Sequence, residues 1–167
     1  MKAFWNRIRP PKPLTTTGGF KVKMDKPPIW NEVCVAFGIK PEAYFTYGDT
    51  IYCVDVPFPQ PDIIEHEKVH MEQQLAFIPP ERRIKGNEDE GAALWWGKYL
   101  REPAFRVDQE AKAYGKQYAF ICETVKDRNK RAWFLAQFAK SLSGPMYHNA
   151  VTGVKASKLI KQYSHVV

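Results

Sequence analysis

The stretch IIEHEKVHMEQQL (63–75) constrains the fold of this chain more than any other part of the sequence. Pro61 just before it suits the first turn of a helix, and the proline pair that follows at 79 and 80 cannot continue one. We therefore predict a helix from about residue 61 to about residue 77. His66 and His70 are four residues apart, so on a helix they lie one above the other on one face. Apolar residues on the same side indicate that this face points to the interior.

Two imidazoles placed one helical turn apart can bind a single zinc ion. Glu67 directly follows His66, and from that position a carboxylate reaches a water molecule beside the metal rather than the metal itself. Residues His66 to His70 therefore match the HExxH pattern of zinc peptidases. The alternative is two ordinary histidines on an amphipathic helix, hydrogen-bonded or half exposed. Lys68 and Glu72 favour that alternative, because zincin helices usually have an uncharged and a hydrophobic residue at these two positions.

A third metal ligand is offered by Glu110, which lies in the apolar stripe of a helix that we predict at about 104–126. A buried carboxylate must be protonated, paired with a cation or bound to a metal. A zinc ion shared with the two histidines meets that need, and so does an ion pair with Arg106, four residues earlier. Asp108 and the acidic run at 88–90 have the pattern of a solvated surface.

The motif and the later glutamate together resemble the gluzincin type of zincin metallopeptidases. The chain also resembles the small zincin-like proteins that tailed bacteriophages encode. The resemblance implies that His66, His70 and Glu110 hold one Zn²⁺ per chain and leave a fourth position for water. It also implies that Glu67 takes a proton from that water and returns it to the leaving amine. The stretches that carry it are YGDTIYC, HEKVHMEQQ, YLREPAFRVDQEAKAYGKQY and SGPMYHNAVTGVKASKLI, which cover much of residues 45–160.

The resemblance also suggests where a peptide or protein substrate binds. The strand TIYCV (50–54) precedes the helix, as the edge strand does in zincins, so Ile51 and Tyr52 are candidate substrate-binding residues. Tyr147 is a further candidate for substrate binding.

Three side chains are candidates for stabilising the oxyanion: Tyr114, or Tyr147 and His148 in a later loop. Core packing is the alternative for Tyr114, and an ordinary surface turn is the alternative for the other two. Gln73 and Gln74 either orient the ligands from behind or face solvent.

The order of predicted elements, with strands first and helices afterwards, indicates an α+β fold. We predict a zincin-like domain at 29–167, with a small antiparallel or mixed sheet followed by helices. An extended, basic, proline-rich arm at 1–28 precedes it. The remaining predicted elements are strands at 20–24 and within 43–56, and helices at 30–38, 91–101, 104–126, 130–142 and 154–163.

The net charge of +7 is concentrated at the beginning of the chain. Residues 1–30 hold seven Lys and Arg against one Asp, a net charge of +6, which leaves +1 for the other 137 residues. We therefore assign the basic character to the arm rather than to a face of the fold, and do not expect nucleic acid as a partner. Arm charge alone would give only weak, salt-sensitive binding.

The sequence leaves two functions open. The first is a zinc metallopeptidase that acts on a peptide or protein substrate and that a phage particle could carry. The second is a structural virion component with a zincin-like fold and little or no catalysis, whose residues 1–28 dock on other virion proteins. The sequence contains no apolar run long enough to span a membrane and no secretory signal, so we expect the protein in the host cytoplasm or the virion.

Overall fold

The computed structural model describes residues 19–83 and 86–165, so the first eighteen residues of the predicted arm lie outside the described part. Within these residues the chain is a mixed α/β structure with a small mixed sheet, as the sequence predicts, and one helix lies between the first two strands while the others follow the last strand. The strands are β1 (Lys21–Lys23), β2 (Ala43–Tyr47) and β3 (Thr50–Val54). The helices are α1 (Trp30–Phe37), α2 (Pro61–Leu75), α3 (Glu88–Arg101), α4 (Pro103–Thr124), α5 (Arg128–Leu142) and α6 (Gly153–Ser164).

The sheet has the strand order β1-β3-β2, with β3 in the centre. β2 and β3 form an antiparallel hairpin, whose turn uses Gly48 at a φ of 58° that favours glycine. β1 runs parallel to β3 on its other side. The prediction that β3 is an edge strand is therefore wrong, because both of its edges are already paired. The two edge strands of the described sheet are β1 and β2.

β1 falls inside residues 1–28, which we assigned to the arm. Its Val22 pairs with Ile51 of β3, so this part of the assigned arm belongs to the sheet of the domain. Residues 21–23 are therefore part of the domain, although the sequence prediction placed them in the arm.

Helix α2 begins at Pro61 as predicted and ends at Leu75, two residues earlier than predicted. The chain tightens after Leu75, where the backbone N–H groups of Phe77 and Ile78 donate to carbonyls three residues earlier. Helix α3 begins at Glu88, three residues earlier than predicted. The acidic run at 88–90 forms its first turn, where the helix dipole favours negative side chains.

Two apolar clusters flank the site helix α2. One joins the sheet to α1 and α3 and contains Trp95 and Trp96, and the other fills the space between α4, α5 and α6. Helix α2 packs against β2, α3 and α4, and thus lies between the two clusters. None of the described helices combines the length and the apolar composition that crossing a membrane requires.

The packing of α3 on α2 generates a first prediction, because Gly91 lies against the backbone carbonyl of Gln74. A Cβ atom there would overlap that oxygen, so Gly91→Ala should lower the free energy of unfolding by about 1–3 kcal/mol. Gly97 on the same helix has open surroundings, with its nearest neighbour, the guanidinium of Arg101, 3.4 Å from a Cβ. Gly97→Ala should therefore be neutral or stabilising by up to about 1 kcal/mol. Urea denaturation would measure both, and equal stability of the two variants would contradict the packing described.

Candidate metal centre

His66, His70 and Glu110 lie together in the interior, each less than a tenth exposed. Helix α2 supplies the two histidines and α4 supplies the glutamate. The two imidazole Nε2 atoms are 3.2 Å apart. One carboxylate oxygen of Glu110 lies 3.4 Å from His66 Nε2, and the other lies 3.4 Å from His70 Nε2. The three residues that the sequence predicts as metal ligands therefore converge, and this buried group can hold a metal ion.

The other nitrogen of each imidazole ring faces a glutamine. His66 Nδ1 is 3.0 Å from Gln117 Oε1, and His70 Nδ1 is 2.8 Å from Gln73 Oε1. Each amide is held in this orientation, because Gln117 Nε2 donates to Asp62 and Gln73 Nε2 donates to a backbone carbonyl. An amide oxygen only accepts hydrogen bonds, so both Nδ1 atoms carry the proton.

This arrangement of protons leaves the centre of the cluster rich in lone pairs. With hydrogen on Nδ1, a neutral histidine presents an unprotonated Nε2, so His66 and His70 direct two lone pairs at each other and at the Glu110 carboxylate. Such groups repel one another in a buried site unless a cation or added protons lie between them. The donor set therefore fits a metal cation, with the two glutamines fixing the rings from behind.

The shifted pKa values of His70 and Glu110 also show that the cluster favours positive charge at its centre. Burial alone would lower the pKa of His70, but the charge and hydrogen bond of Glu110 outweigh it and raise the pKa to about 9. Burial alone would raise the pKa of Glu110, and the two histidines outweigh it and hold the pKa well below its usual range. Glu110 is thus an anion that holds positive charge next to it.

Two tyrosines also hold the Glu110 carboxylate, one at each oxygen. The Tyr99 hydroxyl donates to Oε1 at 2.6 Å, and the Tyr147 hydroxyl donates to Oε2 at 3.2 Å. Burial, followed by the negative charge of Glu110, raises the pKa of both phenols well above 10. Both tyrosines therefore keep their protons and act as donors.

Arg106, the alternative partner that the sequence offered for Glu110, has other partners. Its side chain is fully buried and donates to the backbone carbonyls of Tyr99, Leu100 and Met146. It thereby joins the end of α3 to the turn Pro145–Tyr147. The histidines and tyrosines, rather than Arg106, surround the carboxylate.

Glu67, the predicted proton acceptor, is also buried and lies beside the cluster. The Thr46 hydroxyl of β2 lies 2.8 Å from Glu67 Oε2 and donates to it. Thr46 is itself fixed, because its carbonyl accepts hydrogen bonds from the side chains of Gln74 and Trp96. Gln74 also accepts from the backbone N–H of Gly48, so it ties α2 to the hairpin rather than facing solvent.

The two departures from the usual zincin motif lie away from the cluster. Lys68 is partly exposed and pairs with Glu65 at 2.8 Å, and Glu72 is exposed. Neither charge is buried next to the histidines, so neither conflicts with a metal ion there.

A cavity of about 680 Å³ opens onto the cluster. Its wall includes the cluster residues, Glu67, the edge strand β2 and the turn Pro145–Tyr147. Nine of the 25 lining residues are aromatic, among them Phe45, Trp96 and Phe138. The site therefore combines a polar centre with apolar walls, which is typical of sites that bind small molecules or side chains.

Of the remaining predicted site residues, two lie at the cavity and three do not. Tyr147 lies in the cluster, and Tyr114 lines the cavity with its ring edge-on to His66 at 4.6 Å between centroids. Ile51 and Tyr52 are buried in the central strand and do not line the cavity. His148 is exposed just after the turn, and the structure does not bring it to the cavity either.

Sequence reasoning missed three residues of the site: Thr46, Tyr99 and Gln117. Gln117 follows Glu110 by seven residues, two turns along α4, so the helical period placed it on the same face and could have revealed it. Thr46 and Tyr99 come from other elements at no fixed spacing from the motif. Only the folded chain brings them together.

Comparison with known protein families, with curated proteins and with solved structures found no match to this chain. The function must therefore be inferred from the geometry of the site.

The cluster predicts that purified protein binds one divalent transition metal ion per chain. His70→Ala removes one of three ligands and should abolish stoichiometric binding. His148→Ala is the matched control, because it removes an exposed histidine outside the cluster and should leave the metal content unchanged. Elemental analysis after dialysis would measure both, and an unchanged metal content in His70→Ala would exclude this site.

The hydrogen bond behind His66 predicts a second, smaller effect. Gln117→Leu leaves the three ligands in place but removes the acceptor that fixes the His66 ring, so metal affinity should fall about 10–100-fold. Gln137→Leu serves as the control, because Gln137 lines the cavity from α5 without a hydrogen bond to either ring. Competition with a chelating dye would measure the affinities. Equal affinities in the two variants would show that Gln117 does not orient the ligand.

Proposed function

We propose that this chain is a zinc-dependent metallopeptidase of the zincin type, which hydrolyses peptide or amide bonds. The observation that carries the proposal is the convergence of His66, His70 and Glu110 on the wall of a cavity, with Glu67 beside them. Two histidines and a carboxylate are a ligand set of catalytic zinc sites, which keep a further position open.

The distances within the cluster support zinc in particular. Zinc bonds to imidazole nitrogen and carboxylate oxygen are about 2.0–2.2 Å long, so two corners of a zinc tetrahedron lie about 3.3–3.6 Å apart. The two Nε2 atoms are 3.2 Å apart, and one oxygen of Glu110 lies 3.4 Å from His66 Nε2 while its other oxygen lies 3.4 Å from His70 Nε2. These separations are compatible with zinc, and either carboxylate oxygen is available to bind it. Zinc bound there would polarise a substrate carbonyl and lower the pKa of a water molecule towards about 7.

Glu67 is the proposed general base. Its carboxylate would take a proton from the attacking water and return it to the leaving amine. The hydrogen bond from Thr46 holds one oxygen of this carboxylate and thereby limits its rotation. Tyr114, protonated because burial raises its pKa, is the proposed donor to the oxyanion. The single hydroxyl proton of Tyr147 is already donated to Glu110, so Tyr147 is proposed to hold that carboxylate.

The substrate would lie along β2 rather than β3. Of the two edge strands of the described sheet, β1 and β2, it is β2 whose residues 43–46 line the cavity. An extended peptide could add to its free edge by main-chain hydrogen bonds. The aromatic walls of the cavity would receive an apolar side chain next to the bond that is cleaved.

The relation to bacteriophage proteins stays a prediction, as does docking of residues 1–28 on other virion proteins. Lys68 and Glu72 differ from the residues that zincin helices usually have at these positions, but both side chains face away from the cluster. Catalysis is therefore the proposal that fits the site best, and a purely structural role is the alternative that the next experiment separates from it.

Glu67→Gln should lower the rate of peptide hydrolysis by about 10²–10⁴-fold while one zinc ion per chain is retained, because Glu67 is not a ligand. Glu72→Gln on the same helix makes the same chemical change at an exposed position and should leave the rate unchanged. A fluorogenic peptide library measures hydrolysis, and elemental analysis measures zinc. A zinc-loaded parent that cleaves nothing in the library, or an equally active Glu67→Gln variant, would contradict the proposal.

A further inference from the structure

The C-terminal helices carry an unbalanced charge. Residues 128–165 contain seven Lys and Arg and no Asp or Glu. Residues 31–127 hold 11 Lys and Arg against 17 Asp and Glu, a net charge of −6. The net charge of +1 outside residues 1–30 is therefore the sum of a negative segment, 31–127, and a strongly positive segment, 128–165. A small net charge of this kind is compatible with a basic face on the fold.

These seven cations form a surface that we call the basic face. Six of them are exposed and Arg131 is half-buried. None of the seven forms a salt bridge with another described residue, whereas Lys21, Lys68, Arg82, Lys98 and Lys112 all do. The basic face consists of Arg128, Lys130, Arg131 and Lys140 on α5 and Lys155, Lys158 and Lys161 on α6.

Lys130 and Lys140 of α5 and the three lysines of α6 lie on the outward sides of two helices that pack against each other, whereas Arg128 and Arg131 lie towards the core-facing side of α5. On α6, Lys155, Lys158 and Lys161 are spaced by three residues, opposite the buried Ala156 and Ile160. On α5, Lys130 and Lys140 lie on one outward stripe about 15 Å long. The positive charge is therefore spread along the surface rather than gathered at one point.

An aromatic ring interrupts the stripe on α5. Trp133 lies between Lys130 and Lys140 and is 54% exposed, although tryptophan is one of the largest apolar side chains. Its ring contacts Phe134 edge-on, which supports it from one side. The stripe also adjoins the cavity, because Lys140 is one of the lining residues.

We propose that the basic face binds single-stranded nucleic acid. The lysines and arginines contact successive phosphates, and the exposed indole of Trp133 stacks on an unpaired base. A surface that combines a track of cations with an exposed aromatic ring has the two elements that sequence-tolerant single-strand binding requires. This activity is separate from the proposed hydrolysis and does not depend on a metal ion.

Other polyanions fit the basic face less well. An amphipathic helix that inserts into a membrane needs a free apolar face, whereas the apolar faces of α5 and α6 are buried in the core by residues such as Leu135, Phe138 and Ile160. An acidic protein would be attracted by the lysines, but it offers no flat base for the indole.

The experiment uses the full-length chain with a fluorescein-labelled single-stranded oligonucleotide of about twenty nucleotides, followed by fluorescence anisotropy. We expect a dissociation constant of about 10⁻⁶–10⁻⁴ M that rises steeply between about 50 and 200 mM salt. Two variants remove four positive charges each and differ only in where they do so. The helix variant is K130Q/K140Q/K155Q/K158Q, and the matched control in the N-terminal segment is K2Q/R7Q/R9Q/K12Q.

The helix variant should bind at least about tenfold more weakly, with a shallower dependence on salt by about 0.7 for each lysine that contacts a phosphate. The N-terminal control should lose less than the helix variant. If the N-terminal control loses binding and the helix variant keeps it, the basic face is not the site. Unchanged circular dichroism of the helix variant would confirm that it is folded.

Substitution of Trp133 tests base stacking separately from charge, because it changes no charged group. Trp133→Ala should reduce the preference for a single strand over a duplex, and Trp133→Phe should retain it, because phenylalanine can still stack. Polyglutamate and anionic phospholipid vesicles serve as competing polyanions. The proposal would be overturned if either bound as tightly as the oligonucleotide, if the duplex bound better than the single strand, or if no oligonucleotide bound at low salt.

Discussion

The structure around this site depends on one electrostatic constraint. Two imidazole nitrogens and a carboxylate are directed at one another within 3.2–3.4 Å in the interior, and in their unprotonated forms all of them present lone pairs. Burying such a group is unfavourable unless positive charge compensates it. Four side chains preserve this arrangement. Gln73 and Gln117 accept from the imidazole rings and thereby keep the ring protons on Nδ1. Tyr99 and Tyr147 donate hydrogen bonds to the carboxylate.

The same constraint explains how the surrounding elements are connected. Gln74 joins α2 to the β2–β3 hairpin, and Thr46 of that hairpin holds Glu67 beside the cluster. The buried Arg106 joins the end of α3 to the turn that carries Tyr147. Glu67 and the ligand Glu110 are therefore held by contacts from the sheet, α3 and the turn, so that the cavity opens onto an already formed site.

Spacing along a helix made the pairing of His66 and His70 predictable, and the position of Glu110 within an apolar stripe made its burial beside them predictable. Contacts between elements were not predictable from one sequence. A strand pattern does not reveal which strand lies at the edge, so β3 was assigned the position that β2 occupies. Tyr99 and Thr46 reach the cluster from elements with no fixed spacing to the motif. The net charge of residues 31–167 failed to reveal the basic face for a different reason. The negative charge of residues 31–127 cancels most of the positive charge of α5 and α6 in the sum.

The central claim is that residues 66, 70 and 110 share one zinc ion, and anomalous X-ray scattering at the zinc absorption edge tests it most directly. Crystals of the full-length protein grown with zinc should show one strong peak about 2.0–2.2 Å from both histidine Nε2 atoms and from a Glu110 carboxylate oxygen. A cluster without a peak, or a zinc ion bound only by surface residues, would contradict the claim.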